Sequence, residues 1–187
     1  MDYKDYKNSR DLAWQVLINE KVTELPVKVG KLCQGMGIQV RYYEPVDSSD
    51  GYSAIIEGTP WIFVSDQATP ERRRFTAAHE LGHILLGHVG QYHLVNREPS
   101  GKDNPIEQAA NVFASRLLAP ACVLWALDVR TPEEIAALCQ ISYQAAAFRS
   151  ERMAILYERG KFMSSPLERQ VYAQFREFIE KQKSNIV

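Results

Sequence analysis

Cysteine is scarce in this chain of 187 residues: the three present, Cys33, Cys122 and Cys139, are far apart, odd in number and never in C-x-x-C spacing. That argues against a disulfide framework and fits a reducing compartment. Each lies among apolar neighbours, as in Leu32-Cys33 and Ala121-Cys122-Val123, so each reads as a small buried hydrophobe and not as a nucleophile. Net charge is lacking too. Lys and Arg number 22 against 23 Asp and Glu, which removes the overall electrostatic basis for a nucleic-acid or polyanion partner. No apolar run approaches the roughly 18 residues of a membrane span. The opening Met1-Asp2-Tyr3-Lys4-Asp5-Tyr6-Lys7 has no apolar core of a secretory signal, so a cytoplasmic protein without membrane contact is expected. Internal repeats and low-complexity segments are absent as well. A hydrophobic content of 45% supports one substantial core, with room for a small appended subdomain.

What is present is His79-Glu80-Leu81-Gly82-His83. Residues four apart on an α-helix differ by about 40° around the axis and about 6 Å along it, so both imidazoles reach one metal ion. Glu80 is not needed as a ligand. One residue beyond the first histidine, it is placed to take a proton from a water activated at the metal. Such pentapeptides also recur by chance on ordinary surface helices, and the setting argues against that here. Phe75-Thr76-Ala77-Ala78 precedes the motif and Ile84-Leu85-Leu86 follows it, so the helix is expected to be buried. Buried imidazoles and carboxylates need partners; a metal ion supplies one, and outer hydrogen bonds the rest. Thr69 is the expected N-cap, Pro70 lies in the first turn, and Gly87 or Gly90 ends the helix. Gly82 removes a side chain where another helix can come near.

A catalytic zinc usually takes three protein ligands. On a continuous helix His88 lies about 180° from His79 and is expected to point elsewhere. His93 falls past Gly90, in a loop. The arrangement H-E-x-x-H-x-x-G-x-x-H wants glycine at position 86 and histidine at 89; Leu86 and Val89 stand there, and the pattern fails. Glu98 and Glu107 remain. Glu107 opens a helical stretch, 105–118, after the turn-like Pro99-Ser100-Gly101-Lys102-Asp103-Asn104. With Asn104 as N-cap and Pro105 in the first turn, Glu107 also completes a capping arrangement that needs no metal. A similar pattern recurs at Thr131-Pro132-Glu133-Glu134, where only capping is expected. What favours the metal at Glu107 is its face: Ala110, Asn111 and Ala114 are small or short and let this helix approach the motif helix closely.

Arg73-Arg74-Phe75-Thr76-Ala77-Ala78-His79-Glu80-Leu81-Gly82-His83-Ile84-Leu85-Leu86, followed by Glu107-Gln108-Ala109-Ala110-Asn111-Val112-Phe113-Ala114-Ser115-Arg116-Leu117-Leu118-Ala119-Pro120, resembles the ImmA/IrrE family of metallopeptidases. The family pattern is R-R-F-(S/T)-x-A-H-E-L-G-H and then E-x-x-A-N-x-F-A-x-x-L-L-x-P, and both halves occur in order. Ala119 stands where a methionine is common, a packing change. The resemblance implies a zincin-like peptidase with one zinc ion per chain, bound by His79, His83 and Glu107, and Glu80 as general base. It also implies a substrate class: transcriptional repressors of the helix-turn-helix type, cut so that prophage, mobile-element or stress-response genes are released.

Around the motif, Asp11 to Asn19 and Pro26 to Gln34 carry helical periodicity, and Gly35-Met36-Gly37 stops the second. Residues 38–43, 52–57 and 61–64 read as strands, with a tight turn at Gly58-Thr59-Pro60. They predict a small, three-stranded, mostly antiparallel sheet beside the motif helix, whose edge can hold an extended peptide by main-chain pairing. After Pro120 the chain reads as helical over 121–127, 131–139, 142–153 and 166–183. The expected class is α+β and mostly helical, with residues 1–125 as the peptidase core and 126–187 as a helical C-terminal extension packed on it. Residues 133–153 are faintly like a helix-turn-helix. Gln140 stands where that turn prefers glycine, and Arg149 and Arg152 are offset by Glu151, so packing is expected and direct nucleic-acid binding is not.

These readings predict a zinc endopeptidase with a protein substrate. Tyr42, Tyr43, Tyr92 and His93 are the candidates for an additional donor to the oxyanion. The alternatives are a general peptidase or aminopeptidase of the glutamate-ligand zinc type, and a noncatalytic protein that keeps the fold and binds a regulator without cutting it.

Overall fold

The computed structural model describes residues 1–46, 49–89 and 104–185. Among them the chain order is α1 (Tyr3–Asn19), α2 (Val29–Gly35), β1 (Gln39–Tyr43), β2 (Gly51–Ile56), β3 (Thr59–Ser65), α3 (Pro70–Leu85), α4 (Pro105–Leu118), α5 (Ala121–Ala126), α6 (Pro132–Cys139), α7 (Tyr143–Glu158), α8 (Pro166–Gln174) and α9 (Arg176–Ser184). The class is α+β, as expected. Two units cluster along the chain: Met1–Arg10 with Lys28–Ala114, and Asp11–Val27 with Ser115–Val187. Helix α1 begins well before Asp11, because Asp2 Oδ1 accepts the Asp5 backbone N–H at 2.8 Å and caps the polar opening stretch.

In the first unit the sheet order is β1-β3-β2. β2 and β3 pair antiparallel with Ile56 opposite Thr59, whereas β1 and β3 pair parallel with Val40 opposite Ile62. The sheet is therefore mixed, which corrects the expectation of a mostly antiparallel one. The chain reverses twice, so β1 and β3 run the same way, and β3 has been inserted between its two predecessors. Its composition explains the choice: Ile62 and Val64 are 0% and 1% exposed, and the most apolar strand gains most from neighbours on both sides. The hairpin turn also sits one residue earlier than predicted. Glu57 and Gly58 occupy it with φ of 50° and 78°, the positive pair that a two-residue hairpin of right-handed twist requires. Pro60 consequently falls inside β3. It is tolerated because β1 reaches only as far as Trp61, leaving no strand to ask for the missing N–H.

Alternation puts Val40, Tyr42, Gly51, Ser53, Ile62 and Val64 on one sheet face, and α3 packs against that face. Thr69 caps α3 as expected, its Oγ1 accepting from the Arg72 N–H at 3.3 Å, with Pro70 in the first turn. The helix stops where Gly87 takes φ of 74°. Gly87 N–H bonds the Ile84 carbonyl at 3.1 Å and His88 N–H bonds the His83 carbonyl at 2.9 Å, the paired bonds of a Schellman ending. Asn104 opens α4, Oδ1 accepting from the Ile106 N–H at 3.0 Å.

In the second unit the capping box at α6 is complete: Thr131 Oγ1 accepts the Glu134 N–H at 3.3 Å, and Glu134 Oε2 accepts the Thr131 N–H at 3.0 Å. Gln140 ends α6 in the left-handed region at φ of 49°, and Ser142 caps α7. Arg149 faces inward, 1% exposed, with Nε donating to the Ala119 carbonyl at 2.8 Å. It therefore serves packing. The expected helix over 166–183 divides at Phe175 into α8 and α9. Gln174, at the end of α8, donates through Nε2 to the carbonyls of Leu17 and Val22 at 2.7 and 2.6 Å.

Taken together, Pro105–Ala126 is long and apolar enough by composition to cross a membrane, contrary to the expectation that no run reaches that length. Burial explains its composition. Of that apolar window 72% is inside the protein, and Phe113, Leu117 and Leu118 are each 0% exposed.

Candidate metal centre

Helix α3 brings the two motif imidazoles to one side, with ring centroids 4.6 Å apart. The first turn of α4 brings the carboxylate of Glu107 to both. His79 Nε2 lies 3.1 Å from Glu107 Oε2, His83 Nε2 lies 3.3 Å from Glu107 Oε1, and the two Nε2 atoms are 3.0 Å apart. Their side chains are 12%, 5% and 19% exposed for His79, His83 and Glu107. The group could hold a metal ion.

The close approach of α4 follows from Gly82. A Cβ built there would lie 2.9 Å from Phe113 Cδ1, a distance that carbon atoms do not adopt at rest, and a tight 3.3 Å from Phe113 Cβ. Any larger residue would hold Phe113, and with it α4, away from α3.

The outer nitrogens of both rings are also engaged. His79 Nδ1 meets Asn111 Oδ1 at 3.0 Å. Because an amide oxygen only accepts, His79 carries its proton on Nδ1 and offers a lone pair at Nε2. His83 Nδ1 meets His88 Nδ1 at 3.0 Å. In the tautomer that carries the proton on Nδ1 of both rings, two nitrogen lone pairs and a carboxylate would converge within 3.0 to 3.3 Å of one another. Three Lewis bases in such proximity repel until a cation lies among them. Donor atoms around a tetrahedral ion at about 2.0–2.1 Å are themselves about 3.3 Å apart, so the residues fit a metal in spacing as well as in donor type. Protonated on Nε2 instead, the imidazoles would donate to Glu107 and hold its carboxyl well below the usual carboxylate range, His79 first and His83 second. Burial, and then the His83 ring, push the basicity of His88 down.

Glu80 reaches the sheet. It is 2% exposed, and Ser53 Oγ in β2 donates to its Oε2 at 2.8 Å. Of the expected oxyanion donors, Tyr42 stacks its ring under the Arg73 guanidinium, 5.5 Å from centroid to Cζ, and Tyr43 shares a 2.7 Å hydrogen bond with Ser49. Tyr92, His93 and Glu98 lie outside the described residues. A separate cleft of about 500 Å³, lined by Lys28, Lys31, Tyr42, Arg73 and Arg74 among others, includes none of His79, Glu80, His83 and Glu107.

Three participants escaped sequence reasoning. Asn111 was legible only as a short residue, although it follows Glu107 at the same four-residue spacing that relates His83 to His79. His88 reaches the outer nitrogen of His83 because the helix ends at Gly87, beyond which helical spacing no longer sets its direction. Ser53 had no signal, since a serine in a strand marks nothing by itself.

Comparison with known proteins places this geometry in a family. The model for the IrrE N-terminal-like domain, a peptidase family designated M78, matches residues 33–151. The radiation response metalloprotease IrrE of Deinococcus deserti is 34% identical over 101 residues, which cover 52% of this chain and 36% of that protein. Its counterpart in Deinococcus radiodurans is 33% identical over 101 residues, 52% of this chain and 31% of that one. The match thus spans about a third of the length of either relative. Among solved structures, a Mycobacterium tuberculosis transcriptional regulator superposes with a TM-score of 0.49 at 18% identity, over 75% of this chain and 48% of that one. With the family model matching residues 33–151 of the 187 and including the motif, the sheet and both helices of the centre, the chain belongs to the M78 peptidase family of IrrE N-terminal-like domains.

Proposed function

We propose that the chain is a zinc-dependent endopeptidase in which His79, His83 and Glu107 hold the ion and Glu80 is the general base. The observation that carries this reading is the convergence of two imidazole lone pairs and a carboxylate, with a second, buried carboxylate on the adjoining residue. Two nitrogens and one carboxylate oxygen suit zinc. When bound, zinc supplies Lewis acidity, polarising the scissile carbonyl and favouring ionisation of a water. The protein does the rest. Glu80 takes the proton of the attacking water on its carboxylate and returns it to the leaving amine. Ser53 steadies the other carboxylate oxygen. β2 is an edge strand of the sheet and carries Ser53, so an extended substrate segment pairing along it would lie beside the base.

For the substrate we propose a helix-turn-helix transcriptional repressor, on the strength of the resemblance carried by 73–86 and 107–120. Cys33, Cys122 and Cys139, buried as thiols outside any disulfide, favour the cytosol as its place of action. The direct test incubates the zinc-loaded protein with a repressor of that type encoded nearby and follows cleavage by mass. Cleavage that disappears in Glu80→Gln with zinc still bound supports the proposal. An intact repressor beside a demonstrably loaded centre refutes that substrate, and turnover of unstructured peptides would then identify a general peptidase. Regulation that persists in Glu80→Gln would identify a noncatalytic binding protein.

A further inference from the structure

We infer that His88 is a positioning residue of the metal centre: its Nδ1 accepts a hydrogen bond from His83 Nδ1–H and so fixes the tautomer and rotation that turn His83 Nε2 toward the ion. The inference rests on the reading of His79, His83 and Glu107 as ligands.

The turn after α3 ties His88 to His83 twice. Its backbone N–H bonds the His83 carbonyl at 2.9 Å, and its ring nitrogen lies 3.0 Å from the far nitrogen of the His83 ring. The rings meet edge to face, with centroids 5.1 Å apart and planes at 65°. Gly87 makes this possible, since a φ of 74° reverses the chain and swings the next side chain back over the last turn. Proton bookkeeping then sets the direction of the bond. A metal ligand uses the lone pair of Nε2, so the single proton of neutral His83 is on Nδ1 and must be donated. His88 can receive it only through an unprotonated Nδ1, which leaves its own proton on Nε2. His79 is served in the same way from another element, by Asn111 of α4. Each imidazole therefore has its own acceptor, and the two acceptors come from unrelated stretches of chain. Without one, a ring can rotate or protonate the wrong nitrogen, and metal affinity falls.

The experiment compares wild type, His88→Leu and His88→Asn. Asparagine keeps an acceptor oxygen near the position of Nδ1, whereas leucine keeps only bulk. Zinc affinity is measured by chelator competition, and the Co2+-substituted proteins are compared by visible absorption. The expected result is zinc binding weaker by about 10- to 100-fold in His88→Leu, a changed Co2+ spectrum, and recovery to within a few-fold of wild type in His88→Asn. Equal affinity in His88→Leu and wild type overturns the inference; so does an Asn variant as impaired as the Leu one. Should His88→Leu fail to fold, the imidazole 15N signals of zinc-loaded wild type decide. Protonation of His88 on Nε2 supports the inference, and protonation on Nδ1 overturns it. A wild type that takes up no ion at saturating zinc overturns the ligand reading itself, an outcome distinct from a loaded centre indifferent to His88.

Discussion

Ser53 Oγ donates to Glu80 Oε2 at 2.8 Å, joining strand β2 to the carboxylate that follows the first motif histidine. A hydrogen bond to a charged group contributes about 1.5–3 kcal/mol. Its loss lets the proposed base turn in its buried site without touching the imidazoles. Ser53→Ala is expected to keep its full complement of zinc while kcat falls by roughly ten-fold or more with KM little changed. Ser53→Thr, which retains the hydroxyl, should recover most of the rate. A kcat unchanged in Ser53→Ala would show that Glu80 needs no such support.

Gly82 and Phe113 set the distance between α3 and α4. On an exposed helix, glycine to alanine gains about 1 kcal/mol. Here the added Cβ would lie 2.9 Å from the Phe113 ring, and overpacking costs about 1–3 kcal/mol. Gly82→Ala is therefore expected to lower Tm and weaken metal binding, because Glu107 is carried on the helix that must retreat. Phe113→Leu added to Gly82→Ala should restore part of both, a non-additivity read by thermal melts and zinc competition.

Glu107 and the capping box of Thr131 and Glu134 stand at two similar helix starts and are expected to respond in opposite ways. Glu107→Gln should lose zinc, as measured by elemental analysis, with little change in the apo protein's helical content. Thr131→Ala breaks a completed capping box and should cost about 1 kcal/mol in urea unfolding while leaving zinc content unchanged.

Burial raises the thiols of Cys33 and Cys122 from 9.0 to about 12. The folded state thus holds each proton more tightly than the unfolded chain, so this contribution is complete below pH 9 and declines as pH rises toward 12. Denaturation midpoints measured from pH 8 upward should fall, and Cys33→Ala with Cys122→Ala should flatten part of that decline. In the native protein near neutral pH, these thiols should react far more slowly with a disulfide reagent than after unfolding.

Much of the centre was legible from local periodicity. Helical spacing alone put His79 and His83 on one side of α3, Thr69 marked its start and Gly87 or Gly90 its end, and Gly82 announced a close neighbour. The three strand locations followed from composition and turn residues. The parallel pairing of β1 with β3 did not, because pairing depends on which strand gains most from a central position, and that is settled among segments rather than within one.

The chain by itself determined where α3, α4 and α6 start and which residues share a face, since those follow from backbone hydrogen bonding and side-chain period within a few residues. By capping pattern alone it left Glu107 and Glu134 nearly indistinguishable, each an acidic residue shortly after a capping residue and a proline, with only the small residues on the face of Glu107 to favour the metal. Packing decided between them. Glu134 has the free N–H groups of its own helix start as partners and bonds back to Thr131 and Arg130. Glu107 meets two buried imidazoles brought within 3.1 and 3.3 Å. Which groups come within reach of a carboxylate is a property of the tertiary structure.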